Sequence, residues 1–140
     1  MVDSVFEMPN WKTLVVDDQQ VIRDAVRCLA TQYIGESDEC GDGDEAVDKY
    51  AQAFESGKPY DLILLDLEMP RMDGPETVEA IRNYEDHAHV VEENRVRVVL
   101  VTGYPDENQV KEWFTDKHDA YIVKPITKQK LMDTVTELRH

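Results

Sequence analysis

The feature that most constrains this chain is a repeated alternation of short apolar runs with amphipathic stretches of helical spacing. Two of the runs, "LILL" (62–65) and "VVLV" (98–101), have no polar residue on either face. A strand that is apolar on both sides needs cover on both sides, which is the condition of a parallel sheet sandwiched between helices. The first run, "KTLVV" (12–16), is followed by Val21, Ile22, Ala25, Val26 and Leu29 at helical spacing. "ESDEC" (36–40) stands where a second strand belongs, although its propensity for strand is poor. After the turn "GDG" (41–43), Asp44 is positioned to cap a helix carrying Ala46, Val47, Tyr50, Ala51 and Phe54. "LILL" is the third strand, and Pro75–Tyr84 is a helix with proline in its first turn. "VRVVLV" (96–101) is the fourth strand, and Pro105-Asp106 open a fourth helix with Val110, Trp113 and Phe114. "AYIV" (120–123) is the fifth strand, and Thr127 begins a last helix with Leu131, Val135 and Leu138. Five β-α units predict an α/β fold, a five-stranded parallel sheet with five helices on its two faces.

In open sheets of this kind, ligands bind beyond the carboxyl ends of the strands. The residues that close each strand are therefore the candidates for chemistry. The first strand ends in Asp17-Asp18, the third in Asp66, the fourth in Thr102-Gly103 and the fifth in Lys124-Pro125. Singly, each acid reads as a helix cap or a turn residue. Together they place three carboxylates at one sheet edge, opposite one hydroxyl and one ammonium. Uncompensated, such carboxylates raise one another's pKa and oppose folding. A hard divalent cation relieves that cost, and Mg2+ is typically held by one or two carboxylates with waters and phosphate oxygens.

The 140-residue length fits one domain with a substantial core, spanning 11–140 behind an N-terminal tail, 1–10. A net charge of −15 argues against direct binding to nucleic acid or an anionic membrane. No apolar run reaches a spanning length, and residues 1–10 carry two acids and no basic residue, unlike a signal peptide. Cys28 and Cys40 lack a metal-ligand spacing and read as buried, reduced thiols, which fits a cytoplasmic protein. His87 and His89 could ligate a metal, but no Cys or third His lies near them in sequence, and they read as loop surface.

"VVDDQ", "LLDLEMPRMDG", "LVTG" and "YIVKP" occur in that order. With them, residues 11 to 139 resemble the receiver domain of two-component response regulators, of the chemotaxis-regulator type. The resemblance implies the flavodoxin-like strand order 2-1-3-4-5, for which a chemotaxis member of this family is itself a standard example. It implies transfer of a phosphoryl group from the phosphohistidine of a sensor histidine kinase or phosphotransfer protein to one aspartate, followed by self-catalysed hydrolysis. Carried over by position, Asp66 resembles the phosphoacceptor. Asp17 and Asp18 resemble the acidic pair that gathers Mg2+ (Mn2+ being an alternative), with Asp18 as the direct ligand. Glu68 resembles the position whose backbone carbonyl completes the metal site. Lys124 resembles the base that contacts phosphoryl oxygens. Thr102 and Tyr121 resemble the switch pair, which implies an effector or homodimer surface on the fourth helix, fifth strand and fifth helix.

The chemistry agrees with these roles. A carboxylate is a competent nucleophile toward phosphorus. Phosphoryl transfer needs positioning and charge neutralisation more than covalent help. A cis Lys124-Pro125 bond would aim the ammonium inward, and Gly74 is expected at positive φ in the loop after Met69-Pro70. Three departures stand out: the anionic Glu68, Lys117-His118 where the family often has Gly-Ala, and a long 83–95 stretch that reads as an extended helix or a surface loop. Two other readings compete. One is a phosphorylation-independent interaction module, which the joint presence of Asp66, Thr102 and Lys124 disfavours. The other is a haloacid-dehalogenase-like phosphatase, which wants an acid two residues past an aspartate on the first strand, where this chain has Gln19.

Overall fold

The structure, a computed structural model, describes residues 8–69, 74–103, 108 and 119–139. Five strands form one sheet: β1 (Thr13–Val16), β2 (Ser37–Cys40), β3 (Leu62–Asp66), β4 (Arg97–Thr102) and β5 (Asp119–Val123). All four pairings are parallel, in the order β2-β1-β3-β4-β5. The expected doubly wound, flavodoxin-like sheet is therefore the one observed.

The twofold repeat of the strands sorts their side chains into two cores. Leu14, Val16, Ile63, Leu65, Val98 and Leu100 pack under α2 (Gly43–Glu55) and α3 (Gly74–His87). Val15, Leu62, Leu64, Val99, Val101 and Ile122 pack under α1 (Gln20–Tyr33) and the C-terminal helix (Lys128–Leu138). Both faces are thus covered, which is why "LILL" and "VVLV" show no alternation. Each such fully buried side chain contributes about 1.5–3 kcal/mol. The expected fourth helix, with Val110, Trp113 and Phe114, and the Lys117-His118 pair lie outside the described residues, as does the 70–73 part of the loop after Asp66.

Several local expectations are corrected. The cap of α2 is Asp42, not Asp44: its Oδ1 accepts the Glu45 N–H at 2.8 Å, while Asp44 lies inside the first turn and favours the helix through its charge. Thr127 caps the last helix as expected, accepting the Lys130 N–H at 3.2 Å. Val21 and Ile22 are not core; they are 78% and 40% exposed, because the first turn of α1 begins beyond the end of the sheet. Gly74 opens α3 rather than a left-handed turn; its lack of a side chain matters because a Cβ there would fall 3.2 Å from the Leu67 Cα and closer still to its side chain. The 83–95 stretch is both alternatives at once: α3 continues to His87, and a 3-10 turn follows at Glu92–Asn94.

Cys40 is buried as expected, but Cys28 is exposed on the outer side of α1. Burial pushes the Cys40 thiol up to about 12, leaving it almost no thiolate for reaction. Alkylation of the native chain with iodoacetamide at neutral pH should therefore modify Cys28 and spare Cys40, and peptide mapping checks it; prompt labelling of Cys40 would contradict the packing of β2.

Candidate phosphoryl and metal site

The register of the sheet assembles the strand-end residues. Val16 pairs with Leu65, so Asp17 emerges beside Asp66. Asp66 pairs with Val101, and Thr102 with Val123, so Thr102 and Lys124 reach the same edge. The ends of β4 and β5 are tied together by the Lys124 N–H donating to the Thr102 carbonyl at 2.7 Å. The Lys124-Pro125 peptide is cis.

Asp17, Asp18 and Asp66 each offer a carboxylate oxygen within 4.8 Å of the others. Asp17 and Asp66 are buried and Asp18 is exposed. Burial raises the Asp66 carboxyl pKa, Lys124 and the Glu68 amide pull it back, and Asp17 raises it further. Burial likewise raises Asp17, opposed by the Gln19 N–H that donates to it at 2.9 Å. The Asp17 carbonyl is held by the Arg23 guanidinium at 2.6 Å, so the acidic turn cannot drift from the sheet edge. The set is all oxygen, mostly anionic and open on one side, and it suits Mg2+ better than a soft metal.

Lys124 Nζ stands 2.9 Å from Asp66 Oδ1 and 3.9 Å from Glu68 Oε2. Although burial lowers the Lys124 pKa, the Asp66 contact and the surrounding acids raise it overall, so the ammonium stays charged. Thr102 is buried, and its hydroxyl donates to Glu68 Oε1 at 3.1 Å. The Gly103 N–H donates to the same oxygen at 2.9 Å, and the Glu68 N–H donates to Asp66 Oδ1 at 3.0 Å. Burial raises the Glu68 carboxyl, but the Gly103 amide, the Thr102 hydroxyl and the Lys124 charge outweigh it and leave its pKa lowered.

The structure thus brings together Asp17, Asp18, Asp66, Glu68, Thr102 and Lys124. Tyr121 stands apart on β5, 39% exposed. Sequence reasoning named Glu68 for its backbone carbonyl and Gly103 as part of a strand end, but missed the contact of the Glu68 side chain with Thr102 and Gly103: an acid two residues past a strand end carries no signal that it will fold across to the neighbouring strand. A cleft of about 540 Å³ opens beside Asp66 and Lys124, with Ile22, Ala25, Val101 and Ile126 on its apolar walls.

Comparison with known proteins agrees with this geometry. Residues 13–136 match the family model for the response regulator receiver domain. The chain is 29% identical to the chemotaxis protein CheY of Halobacterium salinarum, over 91% of this chain and 95% of that protein. It is also 29% identical to the osmosensing histidine protein kinase SLN1 of Saccharomyces cerevisiae, over 90% of this chain but only 10% of that much longer protein. Among solved structures, it resembles the receiver domain of the histidine kinase CKI1 from Arabidopsis thaliana complexed with Mg2+ and BeF3-, with a TM-score of 0.74 and 28% identity over 92% of this chain and 89% of that one.

Proposed function

The chain belongs to the response regulator receiver domain family, and on that premise we propose that it is a phosphoryl-accepting switch of a two-component phosphorelay, with Asp66 as acceptor. The observation that carries the reading is the position of the Asp66 carboxylate, 2.9 Å from the Lys124 ammonium and within 4.8 Å of Asp17 and Asp18. An Asp66 oxygen attacks the phosphorus of a phosphohistidine. The new O–P bond forms as the P–N bond breaks, and the imidazole nitrogen keeps the bonding pair. Water later attacks the acyl phosphate, returning the free carboxylate and inorganic phosphate. The donor is a sensor histidine kinase or a phosphotransfer protein.

The carboxylates of Asp17, Asp18 and Asp66, with the Glu68 backbone carbonyl, are the groups to hold Mg2+. The likeness to an Mg2+-bound receiver domain supports this assignment. When bound, Mg2+ supplies positive charge against the phosphoryl oxygens. Lys124 supplies a second cation, and the Thr102 hydroxyl a donor, from fixed positions at two strand ends. Tyr121, on the strand next to Thr102, is the residue we assign to report the change to a partner at the face containing β5 and the C-terminal helix, and its exposure supports that reading.

The test is incubation with Mg2+ and acetyl phosphate, followed by peptide mapping. A phosphoryl adduct is expected on Asp66 and none in Asp66→Asn. Equal labelling of both chains would remove Asp66 as acceptor, and no labelling of either would favour a phosphorylation-independent interaction module.

A further inference from the structure

The Glu68 side chain bridges two strand ends. One of its oxygens accepts both the Thr102 hydroxyl, at 3.1 Å, and the Gly103 amide, at 2.9 Å. Its other oxygen faces the Lys124 ammonium at 3.9 Å. Thr102 and Lys124 are the groups that the proposed function assigns to the phosphoryl oxygens, and the Gly103 N–H is directed to the same point. The Glu68 N–H, bonded to Asp66 at 3.0 Å, fixes the backbone from which the side chain crosses.

We propose that the Glu68 carboxylate is an internal stand-in for the phosphoryl group, holding its hydroxyl and amide donors until phosphorylation displaces it. The proposal rests on the phosphoacceptor reading of Asp66 and deepens it. A carboxylate presents two anionic oxygens, and hydrogen bonds to an ionised acceptor are stronger than neutral ones. An incoming phosphoryl group must therefore break two such bonds before it gains its own. Two consequences follow. The donors are already turned toward an anion in the resting chain, so phosphorylation draws Thr102 from one acceptor to another. Glu68 gives way as this happens: its side chain is 38% exposed and has solvent to swing into. The event that a partner reads includes an expelled carboxylate at the rim of the site.

The experiment compares wild type, Glu68→Ala and Glu68→Asp. Each is treated with acetyl phosphate and Mg2+, and the Asp66 adduct is timed by mass spectrometry. The Gly103 amide is followed by NMR in the untreated chains and after addition of beryllofluoride with Mg2+. Glu68→Ala should acquire the adduct roughly tenfold faster, the effect of one to two net hydrogen bonds no longer opposing entry. Glu68→Asp keeps the charge but is one methylene too short to reach Gly103, so it should behave as Glu68→Ala. In both variants the resting Gly103 amide should move upfield, and beryllofluoride should shift it back downfield by more than in wild type. Equal rates with an unmoved Gly103 amide would overturn the proposal while leaving Asp66 as acceptor. So would a Glu68→Asp chain that keeps the wild-type rate although its Gly103 amide has moved, because charge alone would then be acting. No adduct on Asp66 in any of the three chains would overturn the phosphoacceptor reading itself, and the proposal would fall with it.

Discussion

Replacing Lys124 with alanine should slow phosphorylation of Asp66 by acetyl phosphate about 10²–10³-fold, the loss typical when one preorganised group facing transition-state charge is removed. The same substitution should strengthen the response to metal. In the intact chain the ammonium 2.9 Å from Asp66 offsets part of the repulsion among Asp17, Asp18 and Asp66. Without it the three carboxylates face one another with less compensation, and a divalent cation gains more by entering. Ligands that bind the folded chain alone stabilise it by RT ln(1 + L/Kd), where L is the free ligand concentration, and so raise its melting temperature. Millimolar Mg2+ should therefore raise the melting temperature of wild type, and raise that of Lys124→Ala by more. Thermal melts with and without Mg2+ separate the two roles. A melting temperature of wild type indifferent to Mg2+ would mean that the acidic cluster is not a metal site. A phosphorylation rate unchanged in Lys124→Ala would mean that the ammonium serves only to hold Asp66.

Why the sheet edge was legible and other parts were not has a physical basis. Asp66, Asp17, Thr102 and Lys124 each end an apolar run, and a parallel sheet brings such ends to one edge whatever the loops do. Glu68 was not legible as a ligand of Thr102 and Gly103, because its reach depends on backbone geometry in a loop and on a residue 35 positions away. The helices were legible as helices but not always in their buried face. Val21 and Ile22 fit the apolar spacing of α1, yet they lie past the end of the sheet and stay exposed, Ile22 partly so at the wall of the cleft. Arg82 and Glu85 failed in the opposite direction. Charges at i and i+3 on a helix ordinarily read as a solvated pair, whereas here both are buried. The signal was available in their neighbours: Val78 and Ile81 place that side of α3 against the sheet.

That buried pair carries the other large expected effect. Arg82 donates to Glu85 at 2.6 Å, to the Val96 carbonyl at 2.8 Å and to Asp119 at 2.6 Å. Glu85 also accepts the Tyr50 hydroxyl at 2.9 Å and the Val96 N–H at 2.7 Å. The network ties α2, α3, the residue before β4 and the first residue of β5 at the end of the sheet opposite Asp66. Removing one member of a buried ion pair leaves an uncompensated charge, at a cost of about 3–5 kcal/mol. Glu85→Ala should incur that loss, since it also strands the Val96 amide and the Tyr50 hydroxyl. The expected fall in melting temperature is roughly 10 °C or more for a chain of this size. Glu85→Gln should be milder, because its carbonyl can still accept from Val96 or Arg82. Arg82→Met should be as damaging as Glu85→Ala, since Glu85 and Asp119 would both lose their buried ion pair with Arg82. Combining Arg82→Met with Glu85→Met removes both charges, so its destabilisation should be clearly less than the sum of the two single losses. Denaturant melts of wild type, Arg82→Met, Glu85→Met and the double variant measure this, and strictly additive losses would show that the two side chains do not compensate one another. The site lies beyond the other end of β5, so the folded fraction of each variant should still acquire the Asp66 adduct at the wild-type rate. A slower rate in the folded fraction would mean that the anchor at Asp119 also sets the position of Lys124, the residue just past the other end of that strand.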